Sequence, residues 1–225
     1  MKETNDIVFE NVTKFYNMKH KKNFILKNCS VSIPGNKNIG ILGRNGAGKS
    51  TLLRLLGGIE KPNKGEIILP HNKSFSWTMA LSGGFQASLS GLDNVQFVAR
   101  LYGFYGEDLK KIIKEVYDFS ELGDFFYEPV KNYSSGMKAK LAFGLSTAIR
   151  FDYYLIDETL SVGDRHFKNK CKCKITELQE NSNFLLVSHD LQVLKEMSDL
   201  VLMVDDNTIK IYEDIDEAIA IYNKL

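Results

Sequence analysis

A chain of 225 residues, 44% hydrophobic and 25% charged, has the make-up of a globular protein of one domain or two small ones, with enough apolar residues for a substantial core. Lysine and arginine number 29 against 28 aspartate and glutamate, a formal net charge of +1, and that balance removes the positive field on which a dedicated nucleic-acid binder depends. The three cysteines Cys29, Cys171 and Cys173 complete neither an even disulfide set nor a zinc site and read as free thiols, while the absence of an N-terminal apolar h-region and of any run near about 18 apolar residues predicts no membrane span.

In chain order, Ile7-Val8-Phe9 and the stretch from Phe24 to Ile33 read as strands bounded by Asn and Pro, with the basic run Lys19-His20-Lys21-Lys22 as a solvated hairpin tip between them. Ile39-Gly40-Ile41-Leu42 is a short buried strand, and Leu52, Leu53, Leu55 and Leu56 recur at helical spacing beyond the glycine-rich turn that follows it. Gly65 to Leu69 is again β-rich. From Leu92 to Ile149 the pattern turns helical: Val95, Val98, Ala99 and Tyr102 mark one apolar face, Leu109, Ile112, Ile113 and Val116 a second, and Leu141, Phe143, Leu145 and Ala148 a third. Apolar strands return at Tyr153–Ile156, Phe184–Val187 and Leu200–Val204, each separated by a helical interval, which predicts a parallel sheet with crossover helices. The predicted fold class is α/β, with residues 1–91 and 150–225 forming the core and 92–149 a helical insertion.

Gly43-Arg44-Asn45-Gly46-Ala47-Gly48-Lys49-Ser50-Thr51 is a complete G-x-x-x-x-G-K-[ST] phosphate loop placed between a strand and a helix. In that setting the glycines let backbone N–H groups converge on phosphate oxygens, and the helix turns its positive end toward the same anion. Lys49 is expected on the β- and γ-phosphates and the Ser50 hydroxyl on Mg²⁺. Downstream lie Gly83-Gly84-Phe85-Gln86 ahead of the helical insertion, Tyr133-Ser134-Ser135-Gly136-Met137 ahead of a long helix, the strand Tyr153–Ile156 running into Asp157-Glu158, and Val187-Ser188-His189-Asp190 at the end of the next strand. A strand that delivers Asp157 beside the loop gives Mg²⁺ a hard oxygen ligand. Glu158, one residue on, can polarise an attacking water as general base, and His189 can hold the γ-phosphate in the transition state. Ser134-Ser135-Gly136 also reads as an ordinary helix N-cap.

With these motifs in this order, the chain resembles the nucleotide-binding subunit of an ABC transporter, with Walker A, Q-loop, signature, Walker B with D-loop, and switch histidine. The resemblance implies an ABC-type P-loop ATPase core, a mostly parallel sheet with an N-terminal antiparallel β region, carrying a helical subdomain. It implies ATP and Mg²⁺ as ligands, with Gly43, Asn45, Gly46, Gly48, Lys49, Ser50 and Thr51 around the phosphates, Gln86 as a γ-phosphate and Mg²⁺ sensor beside Ser50 and Asp157, and Tyr16 or Phe15 stacked on adenine. The signature reads Y-S-S-G-M in place of L-S-G-G-Q: Ser134 and Gly136 match, Ser135 and Met137 do not. In ABC proteins this segment completes the partner protomer's site, so the resemblance implies a homodimer with two shared ATP sites, Asp164 being the D-loop carboxylate that links them.

Tyr133–Phe143, Asp157–Asp164 and Ser76-Trp77 leading into Gly83–Gly91 together look like the ATPase subunit of bacterial capsular polysaccharide exporters, with O-antigen and teichoic acid exporters as the nearby alternatives. With the sequence ending at Leu225, the added C-terminal carbohydrate-binding domain of some O-antigen exporters is not expected. The resemblance implies a peripheral protein on the cytoplasmic face of the inner membrane that works with a polytopic permease and with periplasmic and outer-membrane export components. For the Lys19–Lys22 tip, contact with an anionic lipid head group or a lipid-linked glycan is the alternative to solvent. Chromosome or repair clamps of the same superfamily need a long coiled coil between Walker A and the signature, and ribosome-associated members carry two cassettes; the compact insertion and the one cassette here speak against both.

Overall fold

The computed structural model describes residues 5–79, 84–157 and 164–225, and by internal contact the chain divides into two units. The first, residues 1–78, 151–158 and 182–225, holds two sheets. Strands β1 (Ile7–Asn17), β2 (Lys22–Ile33) and β4 (Lys64–Ile68) form an antiparallel sheet in the order β2-β1-β4. The larger sheet runs β5-β6-β7-β3-β8-β9, with β3 at Ile39–Leu42, β5 at Phe75–Met79, β6 at Tyr153–Asp157, β7 at Asn183–Val187, β8 at Leu200–Asp205 and β9 at Thr208–Tyr212. β6, β7, β3 and β8 run parallel, and β9 pairs antiparallel with β8.

The four parallel strands are apolar on both faces, as strands covered on both sides must be: all four residues of β3 are buried, and so are the first five of β8. One face packs with helix α1 (Lys49–Leu56) and the inner residues of the antiparallel sheet, bringing Phe9, Val12 and Leu26 onto Ile41, Leu53, Leu155 and Val187. The other face carries α6 (Leu191–Met197) and α7 (Ile215–Tyr222), with Leu42, Leu194, Val201, Met203 and Ala218 in a second cluster. At their N-terminal ends three of these strands are joined through one residue. Asn38 Oδ1 accepts the Phe184 N–H at 3.0 Å, the Asn38 N–H donates to Asp199 Oδ2 at 2.7 Å, and the Asn38 carbonyl oxygen accepts from Asp199 N at 2.7 Å.

The second unit, residues 79–150 and 159–181, is helical: α2 (Gly91–Leu101), α3 (Gly106–Ser120), α4 (Ser135–Ala148) and α5 (Arg165–Gln179). A capping box starts α2, Ser90 Oγ accepting from Asp93 N at 3.0 Å while Asp93 turns back to Ser90 N. The sequence reading placed the α5 segment with the core. By contact it groups with the helices, because Phe167 at its start packs edge-on to Phe119 at 5.5 Å and toward Phe143 at 6.5 Å, and Lys170 and Lys174 pair with Glu121 and Glu115. Tyr102, read as part of the apolar face of α2, caps that helix and is 44% exposed. Among the described residues no helix is long and apolar enough to cross a membrane.

Candidate functional site

The phosphate loop leaves buried β3 and enters α1 through Gly48, whose φ of 104° is left-handed and whose missing Cβ would lie 2.2 Å from Ile25 Cγ2. Both facts demand glycine there. No side chain caps α1 and its first turn holds no acidic residue, so its leading N–H groups keep their anion-binding capacity. Lys49, 9% exposed, folds its side chain back so that Nζ donates to the Gly43 carbonyl at 2.9 Å and to the Arg44 carbonyl at 3.3 Å. Ser50 and Thr51 occupy the same turn.

Because β6, β7 and β3 are parallel neighbours, their C-terminal ends share one edge of the sheet. Asp157 is the last residue of β6, level with Val187 of β7. Its Oδ1 is buried and has no hydrogen-bond partner among the described residues. A buried carboxylate oxygen left without a donor fits a hard cation or its water shell, and a Mg²⁺ ion held by one carboxylate, a hydroxyl and substrate phosphates needs no larger protein cage. Among the described residues no group of three or more His, Cys, Asp or Glu side chains forms such a cage. His189, two residues past β7, shares with Arg44, Asn45, Tyr222 and Leu225 a hollow of about 470 Å³. The structure thus brings the loop, Asp157 and His189 to one edge. Glu158 lies outside the described residues.

Tyr16 reaches the first turn of α1. Its hydroxyl donates to Glu60 at 2.8 Å (Oε2) and lies 3.2 Å from Thr51 Oγ1; Arg54 Nη2 donates to it at 3.3 Å. Glu60 also pairs with Lys14 and Arg54, each at 2.7 Å. Burial raises the Glu60 pKa, but the hydrogen bonds from Lys14, Arg54 and Tyr16 outweigh it and bring the carboxyl down to about 2. Phe15, one residue earlier on the strand, sits instead against Phe24 at 5.4 Å and under Lys22 at 4.2 Å.

In the helical unit, Gln86 has an exposed side chain on a tightly held backbone. Asn94, 1% exposed, accepts the Gln86 N–H at 2.8 Å and donates to the carbonyls of Gln86, Leu89 and Ser90 at 3.1, 3.3 and 2.8 Å. Nothing in the sequence pattern singles out Asn94; its one trace is an amide side chain in the first turn of a helix already capped by Ser90. Ser134 caps α4, accepting from Met137 N at 3.2 Å, and a Cβ added at nearby Gly136 would lie 3.8 Å from Ser134 Oγ. Asp164 caps α5, and that bond from the Phe167 N–H at 2.9 Å is the main cause of its lowered pKa. Ser134, Gly136, Lys140, Glu121 and Asp164 line one hollow of about 320 Å³.

A phosphate loop between β3 and α1, a carboxylate at the tip of β6 and an antiparallel β region beside the parallel sheet are the anatomy of an ATP-binding cassette, and the chain belongs to the ABC transporter family, whose profile covers residues 26–161. It is 47% identical to the polysialic acid transport ATP-binding protein KpsT of Escherichia coli, over 96% of both chains. To the capsule polysaccharide export ATP-binding protein CtrD of Neisseria meningitidis serogroup B it is 45% identical, over 97% of this chain and 99% of that one. Its fold matches the dimeric bacterial ABC transporter cassette MJ0796 with a TM-score of 0.72 at 22% identity, covering 91% of this chain and 96% of that structure.

Proposed function

We propose that this protein is the ATP-hydrolysing subunit that powers export of a lipid-linked capsular polysaccharide, acting as a homodimer at the cytoplasmic face of the inner membrane with a polytopic permease. The observation that carries the ATPase half is the unpartnered, buried Oδ1 of Asp157 on the same sheet edge as the phosphate loop. Bound Mg²⁺ would neutralise charge on the phosphates. Ser50 and Asp157 would hold it, with Gln86 as sensor. Lys49 exchanges its two loop carbonyls for phosphate oxygens. Gly43, Asn45, Gly46, Gly48 and Thr51 complete the cradle. Glu158 takes the proton of the attacking water, and His189 hydrogen-bonds the γ-phosphate as charge moves onto it. Ser134 and Gly136, at an N-terminus whose first turn carries no acid, serve the opposite protomer's nucleotide, and Asp164 links the two sites.

The capsule half is supported by near full-length identity to KpsT and CtrD, whose names specify polysialic acid transport and capsule polysaccharide export. Exposed Phe97 and Leu101 on α2 suit a surface that a permease covers. Deleting the gene, with complementation by the wild type and by Glu158→Gln, tests the whole reading. Polymer is expected to accumulate inside the cell in the deletion and with Glu158→Gln, and to reach the surface only with the wild type; unchanged surface polymer in the deletion would sink the capsule assignment.

A further inference from the structure

The charge around Tyr16 does not need Tyr16. Glu60 already faces two cations, Lys14 Nζ and Arg54 Nε, each at 2.7 Å. Yet both of its oxygens also accept from the Tyr16 hydroxyl, at 3.0 and 2.8 Å, and that hydroxyl sits 3.2 Å from Thr51 Oγ1 on the turn that follows the phosphate loop. A phenyl ring would satisfy the apolar neighbours of Tyr16 equally well. What the hydroxyl adds is a fixed direction for the long axis of the ring, because its position is set by three side chains at once: the Glu60 carboxylate after α1, Arg54 late in α1 and Thr51 early in it. Lys14 Nζ stands 5.2 Å from the ring centroid.

We propose that Glu60 is a positioning residue for base recognition: its carboxylate holds the Tyr16 hydroxyl against the first turn of α1 and so sets the ring on which adenine stacks. The inference rests on the reading of Tyr16 as the stacking aromatic. An aromatic platform contributes most when its position is set before the base arrives, since less ordering is then left to binding. Phe15, committed to Phe24 and Lys22, has no comparable tie to α1.

The test separates base from phosphate. Affinities for ATP, GTP and inorganic tripolyphosphate are measured by calorimetry on the full chain for the wild type, Tyr16→Ala, Tyr16→Phe, Glu60→Gln and the Tyr16→Ala/Glu60→Gln double variant. Glu60→Gln and Tyr16→Phe should each weaken ATP roughly 3- to 10-fold, the scale of one hydrogen bond, weaken GTP alongside it because stacking tolerates either base, and leave tripolyphosphate unchanged. Glu60→Gln should add nothing to Tyr16→Ala. A wild-type ATP-to-tripolyphosphate ratio in Glu60→Gln, with only a lowered Tm, overturns the proposal. An unchanged ratio in Tyr16→Ala overturns instead the stacking role beneath it, and the same measurement on Phe15→Ala then identifies the platform. Should Glu60→Gln not fold, Tyr16→Phe alone decides by the same ratio.

Discussion

Lys49 Nζ lies 2.9 Å from the carbonyl oxygen of Gly43, six residues earlier, so the phosphate loop is closed by its own lysine. In the proposed mechanism a phosphate takes the place of those carbonyls. Lys49→Ala removes both the closure and the charge due on the β- and γ-phosphates. ATP binding measured by nucleotide titration should fall by at least about 100-fold, two charge-assisted hydrogen bonds' worth, and retained affinity would remove Lys49 from the site.

Binding and chemistry should separate at Glu158. Glu158→Gln keeps the shape of the side chain and cannot take a proton, so turnover should drop by about 10²- to 10⁴-fold while ATP still binds. The ATP-loaded variant should sediment as a dimer. Near-normal phosphate release would shift the base to another residue, with His189 the first to test.

The Glu60 cluster makes a pH-dependent contribution to stability. Its folded pKa of about 2 lies below the ordinary glutamate value near 4.3, so the unfolded chain binds the proton more readily and the stabilisation is fully present above that ordinary value. It is lost as pH falls from there toward 2. Urea unfolding should find Glu60→Gln less stable than the wild type by about 1–3 kcal/mol at pH 7, the scale of hydrogen bonds to a charged group. The gap should close on acidification; one independent of pH would mean that shape, not charge, is what the glutamine changes.

The cysteines differ by position in a way that thiol chemistry can read. Cys173 is exposed, Cys29 and Cys171 are buried, and burial pushes the Cys171 thiol up to about 12. A thiol reagent at neutral pH should label one cysteine in the native protein, Cys173, and three after unfolding. Labelling of Cys171 at the Cys173 rate would contradict the packing of α5.

Gly48→Ala should be among the most damaging single-methyl changes in the chain. It combines a left-handed φ of 104° with a Cβ 2.2 Å from Ile25 Cγ2. Thermal unfolding should show a loss above about 1 kcal/mol, opposite in sign to the gain an unstrained Gly→Ala replacement brings, and a Tm equal to the wild type would contradict the loop geometry.

Sequence periodicity was sufficient for the parallel strands because β3, β6, β7 and β8 are apolar runs with no exposed face to confuse them. β9 escaped because Thr208–Tyr212 alternates weakly at the sheet edge, and the grouping of α5 by contact is hard to read because lysine-rich Arg165–Gln179 hides its few anchors, Phe167, Cys171 and Ile175. For the site, short motifs carried the loop, Asp157 and His189, whose chemistry depends on residue type and order. The partners that hold side chains in place, Glu60 under Tyr16 and Asn94 behind Gln86, are 44 and 8 residues away in sequence and form no motif. Tyr16 and Phe15 looked alike in one dimension. Only strand alternation, which sends neighbours to opposite faces, tells them apart.

Asn38 stitches the far ends of β3, β7 and β8, and those strands are so short that their alignment there is their alignment everywhere. At about 3.3 Å per residue, the four residues of β3 put the phosphate loop some ~13 Å from the stitch. The side-chain amide ties β7 to the start of β3, and the loop and His189 lie past the other ends of those same two strands. A substitution at Asn38 would then reach the nucleotide without ever approaching it, as a change in where the strands point, and a laboratory selecting for altered export could find its variants at the end of the sheet that no substrate visits.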